Sequence, residues 1–409
     1  MTMAENKEKK VLNVPNLRFP EFEGEWEEST IEKQFELYSG NTPSRINKEL
    51  FNGTINWISS GELKEHYIYS TKERISQEAA NNLKLLSVGT FVIAIYGLEA
   101  EGVRGTGSIT QEPSTISQAC MAFTPKGEIT NEFLYSWYKK HGNVIGVKYA
   151  QGTKQQNLSY DILEKFKISY PNVKEQDKLN LFFSLIDKRI STQNKIIDKL
   201  KSLIKGLNNH LYQQYGNEIE TSFADLGVSY SGLSGKTATD FGSGKPFITY
   251  LNVYSNNVIE ETSYQYVRMG ENEKQNIVRY GDVLFTLSSE TPEEVGIGSV
   301  FLGNQEVYLN SFCFGVHITN IQKVFSPYLS YYISTTQFRK FIYPFAQGST
   351  RFNLCKADFE KSKFKLPSLE NQKRIYESLK CLSGKVAAED AILKQYHSQK
   401  QYLLRQMFI

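Results

Sequence analysis

YAQGTKQQNLSYDILEKFKISYPNVKEQ (149–176) and FAQGSTRFNLCKADFEKSKFKLPSLENQ (345–372) are one stretch written twice. They align without a gap at a constant offset, 345 − 149 = 196. Ala150, Gln151, Gly152, Asn157, Leu158, Pro171 and Gln176 return as Ala346, Gln347, Gly348, Asn353, Leu354, Pro367 and Gln372. Behind each copy runs a long apolar repeat in 4-3 spacing. The first is Leu179, Phe183, Ile186, Ile190, Gln193, Ile197, Leu200, Ile204, Leu207 and Leu211. Adding 196 gives Ile375, Leu379, Leu382, Val386, Glu389, Leu393, Tyr396, Lys400, Leu403 and Met407. That spacing marks the seam of a coiled coil. Asn172 and Ser368, each just after a proline, are placed to cap the two helices. A unit followed by a helix, twice over, implies an internal pseudo-dyad.

Upstream of each helix the two bodies match as well. TIEKQFELYSG (30–40) aligns with SFADLGVSYSG (222–232), and LLSVGTFVIA (85–94) with IVRYGDVLFT (277–286). INWISS, LSVGTFVIAIYG and ISQACMAFTP have the short, glycine-bounded apolar runs of strands, and residues 131–142 the pattern of a helix. The fold class expected is α+β: two pseudo-symmetric mixed α/β bodies and two long helices forming an antiparallel coiled coil. The boundaries expected are a flexible tail over 1–16, bodies at 17–171 and 216–366, and helices at 172–215 and 367–409. Gln193 and Glu389 lie near the two helix midpoints and would meet in an antiparallel pair, one polar layer fixing register. Lys400 should weaken the second seam. Each helix of about 40 residues would be roughly 60 Å long, against about 34–36 Å for a turn of DNA.

At 409 residues the chain exceeds one ordinary core. It is 40% hydrophobic, 22% charged and 13% aromatic, with a net charge of +3, so any basic patch is local. Cys120, Cys313, Cys355 and Cys381 have no CxxC spacing and the five histidines no metal spacing; Cys120 and Cys313 sit in apolar runs as core residues. No run is long enough to span a membrane and no leader is apparent, so a cytoplasmic protein is expected.

Catalytic motifs fail on inspection. DFGSG (240–244) resembles a loop that holds S-adenosylmethionine, but no DPPY or NPPY type motif accompanies it. SGLSGKT (231–237) ends like a P-loop, yet Tyr230 stands where the first glycine belongs. No PD…ExK nuclease pattern is present. What remains is contact chemistry. After each repeated glycine comes a polar loop: Lys154, Gln155, Gln156 and Asn157 in the first, Thr350, Arg351 and Asn353 in the second. Amides and arginine read base edges, while hydroxyls and lysine suit phosphates. A turn leading into a helix would use the same residues. Further candidates are Arg45, Lys72, Arg74 and Arg104 in the first body, and Lys236, Lys245, Arg268, Ser288 and Ser289 in the second. Three functions stay open: a non-catalytic DNA-reading subunit, a stand-alone methyltransferase or nuclease, and a coiled-coil assembly protein with two heads for other ligands.

The opening NVPNLRFPEFEGEWEE, the stretch TIEKQFELYSGNTPS, the repeated AQGT…NLS and AQGS…NLC, and the helix starts KEQDKL and ENQKRI together resemble the specificity subunit of type I restriction-modification systems. The resemblance covers essentially the whole chain. It implies two target-recognition domains, each reading half of a bipartite site in double-stranded DNA, with the helices setting the spacer. It implies two methylation subunits and restriction subunits as partners. It also places catalysis, S-adenosylmethionine, ATP and Mg on those partners, with no cofactor or metal on this chain.

Overall fold

Side chains that alternate along one strand decide the architecture of each half. The computed structural model describes residues 12–100, 102–152 and 154–409. The chain divides into two units, one running up to Asn194 and including Ala391–Ile409, the other Lys195–Asp390.

In the first unit all four side chains of Phe91–Ala94 are buried. Phe91 and Ile93 join a cluster with Phe35, Phe123, Phe133 and Tyr138. Val92 and Ala94 join another with Ile58, Ile116, Cys120 and Ala122. A period of two sends neighbours to opposite faces, so this sheet is covered on both sides. Its strand order is Phe35–Ser39, Cys120–Pro125, Phe91–Ala94, Gly107–Thr110, Tyr67–Ile68. The helix Asn131–Tyr149 covers the first face, and the Thr130 side chain caps it by accepting from the Phe133 N–H. It runs past Gly142, beyond the expected end. A Cβ there would lie 2.8 Å from the Tyr138 ring and 3.1 Å from the Gly105 Cα; the glycine admits a neighbouring loop rather than ending the helix. A second, small sheet pairs Ile55–Ile58 antiparallel with Arg74–Ile75 and parallel with Ser114–Ile116.

The second unit repeats this. Val283 and Phe285 face Phe314, Phe338 and Phe359, while Leu284 faces Tyr230 and Cys313. The main sheet runs Gly227–Ser231, Cys313–Ile318, Val283–Thr286, Gly298–Val300. The small sheet pairs Phe241–Ile248 antiparallel with Gln265–Val267 and parallel with Tyr308–Leu309. Cys120 and Cys313 are free, buried thiols at matching places, as the sequence suggests, and burial raises the pKa of both.

The long helices are Val173–Tyr215 and Leu369–Met407. All twenty seam positions are buried or half-buried. Both predicted caps form: Asn172 Oδ1 accepts from the Glu175 N–H at 3.0 Å, and Ser368 Oγ from the Asn371 N–H at 3.4 Å. In the first unit Phe183 meets Phe408 at 5.6 Å between ring centroids, Asp187 pairs with Lys400, and the Arg189 guanidinium lies 5.5 Å from the Tyr396 ring. One number rises as the other falls, so the helices are antiparallel. In the second unit Ile204, Leu207 and Leu211 pack on the cluster holding Ile375 and Leu379. Gln193 is buried in the first unit and Glu389 half-buried in the second.

Lys400, the polar position of the second seam, pairs with Asp187, a counter-charge that the heptad pattern does not show. The Asp187 carboxylate also lies 3.2 Å from His66 Nδ1, and His66 Nε2 is 2.9 Å from Glu132. His66 is stacked between Tyr67 and Tyr135 at 4.0 and 3.9 Å. Burial opposes charge on His66, but Asp187 and Glu132 outweigh it and hold the imidazole above its ordinary pKa.

Each body is fastened to its helix by a fully buried glutamine. Gln176 Oε1 accepts from the Thr130 N–H at 3.0 Å, and its Nε2 donates to the carbonyls of Glu128 and Pro171. Gln372 does the same with the Phe325 N–H at 2.8 Å and the carbonyls of Lys323 and Pro367. Most of the expected tail, residues 1–11, lies outside the described residues. Asn13 donates to the Trp26 carbonyl at 2.7 Å and accepts from Ser169. Among the described residues no helix is long and apolar enough to cross a membrane.

Candidate nucleic-acid interface

The duplicated AQG stretch folds into a tight hairpin in each unit. In the first, Gln151 and Asn157 exchange both backbone hydrogen bonds at 2.8 Å. In the second, Ala346–Gln347 pairs with Phe352–Leu354. Gly152 has φ 116° and Gly348 φ 140°. A Cβ on either would fall 2.0 Å from the Gln155 carbonyl oxygen or 2.1 Å from that of Arg351. Only glycine closes these turns, which is why both copies keep it. The tips expose Lys154 and Gln155 in one unit and Thr350 and Arg351 in the other. Gln156 is half-buried and its N–H donates to Glu99 at 2.8 Å. Asn157 is half-buried, and its Oδ1 is buried without a partner. Asn353 is exposed and paired with both Gln347 and Ser288. Ser288 and Ser289 are buried as the third strand beside this hairpin, and Ser289 Oγ donates to Glu294.

The small sheets gather a second group. Arg74 and Lys72 lie on or beside the edge strand Arg74–Ile75, both exposed and with no side-chain partner among the described residues. In the second unit Arg268 follows the matching edge strand Gln265–Val267, 3.3 Å from Ser243 Oγ, and Lys245 stands on the neighbouring central strand, 3.6 Å from Glu306. Tyr69 and Tyr266 are exposed at 65% and 50% beside these cations. Gly244 has φ 111°, and a Cβ would meet the Val267 carbonyl at 2.4 Å. The glycines of DFGSG are therefore structural: they form the bulge in this ribbon.

The remaining candidates are tied to neighbouring groups of the chain. The Arg45 guanidinium forks onto Glu73 at 2.5 and 2.8 Å and stacks on Phe51 at 4.3 Å. That bond holds the Glu73 carboxyl below its usual range. Arg104 Nε donates to the Leu98 carbonyl, and its stem lies against Gly146. Lys236 is 8% exposed and donates to the Arg268 carbonyl and Glu273. The Gly270 N–H and then Lys236 bring the Glu273 carboxyl down to about 2. An open cleft of about 740 Å³ beside the first small sheet adds Asn56, Gln77, Asn81 and Glu112, none of them among the sequence candidates. Gln77 and Asn81 are four apart on the short helix Gln77–Asn81 and so share a face; that spacing was the available signal. Among the described residues no group of three or more His, Cys, Asp or Glu side chains is placed to hold a metal ion.

A family model described as type I restriction modification DNA specificity domain matches residues 23–213 and again 234–395. Similar curated proteins include the type I restriction enzyme MjaIX specificity subunit of Methanocaldococcus jannaschii, 28% identical over 185 residues, 43% of this chain and 42% of that one. The EcoR124I/EcoR124II specificity subunit of Escherichia coli is 28% identical over 204 residues, 49% of this chain and 48% of that one. In both cases the chain spans less than half of the relative's length. Two solved structures share the fold at 15% identity. The S subunit of the M. genitalium type I system has a TM-score of 0.51 over 97% of this chain and 99% of that one. A chain from a structural study of type I complex assembly and conformational transition has a TM-score of 0.55 over 94% and 97%.

Proposed function

The chain belongs to the type I restriction-modification DNA specificity family, and we propose that it is the sequence-recognition subunit of such a complex. Each unit reads one half of a bipartite site in double-stranded DNA, and the two antiparallel helices set the spacer. The observation that carries this is the duplicated hairpin. One glycine-closed frame, repeated, presents Lys154 and Gln155 in one unit and Thr350 and Arg351 in the other. A constant backbone with different polar tips suits two half-sites of different sequence. Lys72, Arg74, Lys154, Arg268 and Arg351 are the cations we assign to DNA, because their charges are exposed and not held in close ion pairs. Arg45, Arg104 and Lys236 we assign to holding loops in place.

In this proposal the chain is not itself an enzyme. Methylation subunits carry S-adenosylmethionine, restriction subunits carry ATP and Mg, and the complex works in the cytoplasm. A net charge of +3 is compatible with DNA binding if partners share the phosphate contacts.

The test is a methylome comparison. The chain is expressed with its methylation and restriction subunits in a methylation-free host, and modified bases are mapped. The expected result is a bipartite motif with a fixed spacer that vanishes when this chain alone is omitted. A working complex that adds no motif would overturn the proposal. Binding that barely changes between low and moderate salt would instead favour heads for a different ligand.

A further inference from the structure

We infer that the first unit reads base edges, not phosphates, in the cleft beside its small sheet, through Arg74 and the coupled amides of Gln77 and Asn81. The inference rests on the DNA-recognition reading and names the residues that carry specificity within it.

The cleft is framed by Asn56, which is 8% exposed and ties its amide to the Tyr69 carbonyl and to Thr71. Asn56 thereby fixes the loop that holds Tyr69 at the rim. Gln77 Nε2 donates to Asn81 Oδ1 at 2.9 Å. That bond links two exposed amides, and each keeps a donor or acceptor for a further partner. The amide of a single Asn or Gln matches adenine in the major groove, where N6 donates and N7 accepts. The Arg74 guanidinium has no side-chain partner among the described residues, and its fork matches guanine O6 and N7. Glu112 lines the same cleft. A carboxylate there repels phosphate oxygens and accepts only from an amino group such as cytosine N4. One acid, two linked amides and a free guanidinium form a donor and acceptor pattern for base edges. A phosphate groove would be uniformly cationic.

The experiment compares the unaltered complex with Gln77→Ala/Asn81→Ala and, separately, Arg74→Ala, by methylome and by DNA binding across salt. Each variant should relax a base position in one half-site, lowering discrimination there roughly 5- to 150-fold. The other half-site and the spacer should persist, and the amide variant should leave the salt slope unchanged. An unchanged motif in both variants overturns the inference while leaving the recognition reading intact. So does uniform weakening by Arg74→Ala with a salt slope reduced by about one, the mark of a phosphate contact. If the amide variant abolishes methylation altogether, the exposed Arg74 decides by itself. A motif missing from the unaltered complex removes the recognition reading, and this inference with it.

Discussion

The joint between body and long helices is ionic in the first unit and neutral in the second. In the first, Asp187 meets Lys400 and His66, with Tyr135 stacked on the imidazole. An offset of 196 along the helices carries Asp187 to Ser383 and brings Ile204 to the place of Lys400. There the Tyr331 hydroxyl and Ser383 Oγ share one hydrogen bond at 2.9 Å, and Ile204 packs on the apolar cluster. One backbone frame thus accepts two solutions. Removing one member of a buried ionic network strands the others, whereas a neutral pair loses about one ordinary hydrogen bond.

The largest effect tests that contrast directly. Asp187→Ala leaves Lys400 and His66 without their shared counter-charge and should cost about 3–5 kcal/mol. Urea unfolding of the full chain, with hydrogen exchange to locate the loss, should place it in the first unit. A loss under about 1 kcal/mol would mean that water screens the network. Next come the glutamine clips, which are the same in both units. Gln176→Ala and Gln372→Ala each strand a buried N–H and two carbonyls, at about 1–3 kcal/mol. Similar values would confirm that the asymmetry is confined to the charged joint; a twofold difference would break that view. Ser383→Ala should cost about 1 kcal/mol or less, and a larger value would show that the neutral joint is not the weaker one.

The smallest effect is a slope in pH. The raised His66 pKa gives stability that is complete below its unfolded value of about 6.5 and lost as pH rises through the folded value. The groups facing His66 are Tyr67, Glu132, Tyr135 and Asp187; Lys400 pairs with Asp187, and the Lys139 ammonium lies over the Tyr135 ring. Burial, helped by Lys400, lowers Lys139 to about 8, so its titration acts with the opposite sign, favouring the fold as pH rises. His66→Asn should therefore flatten the fall in Tm above pH 6.5 and leave any alkaline gain from Lys139. An unaltered slope would exclude His66 as its source.

Much of the fold was legible because it rests on local rules. The short apolar run that holds Phe91–Ala94, the 4-3 spacing of both helices and the caps Asn172 and Ser368 need no distant partner to be read. The repeated glycines were legible as positions, though only the hairpins show what they avoid. The interface was less legible. Arg45 and Arg74 look alike in sequence, and one is held by Glu73 and Phe51 while the other stands free at a cleft edge. Lys236 and Lys400 read as a candidate DNA contact and a weak point of the seam; Glu273 and Asp187 give each a partner. The clips Gln176 and Gln372 were visible as a repeat but silent as to purpose.

By itself, then, the sequence determined the duplication, the two-helix seam and the strand-by-strand match of the bodies, since periodicity and chain symmetry are properties of neighbouring residues. Only the tertiary structure decided which charges are used internally and which face outward. The energy of a charge is set by the groups brought within a few ångströms of it, and those come from far along the chain.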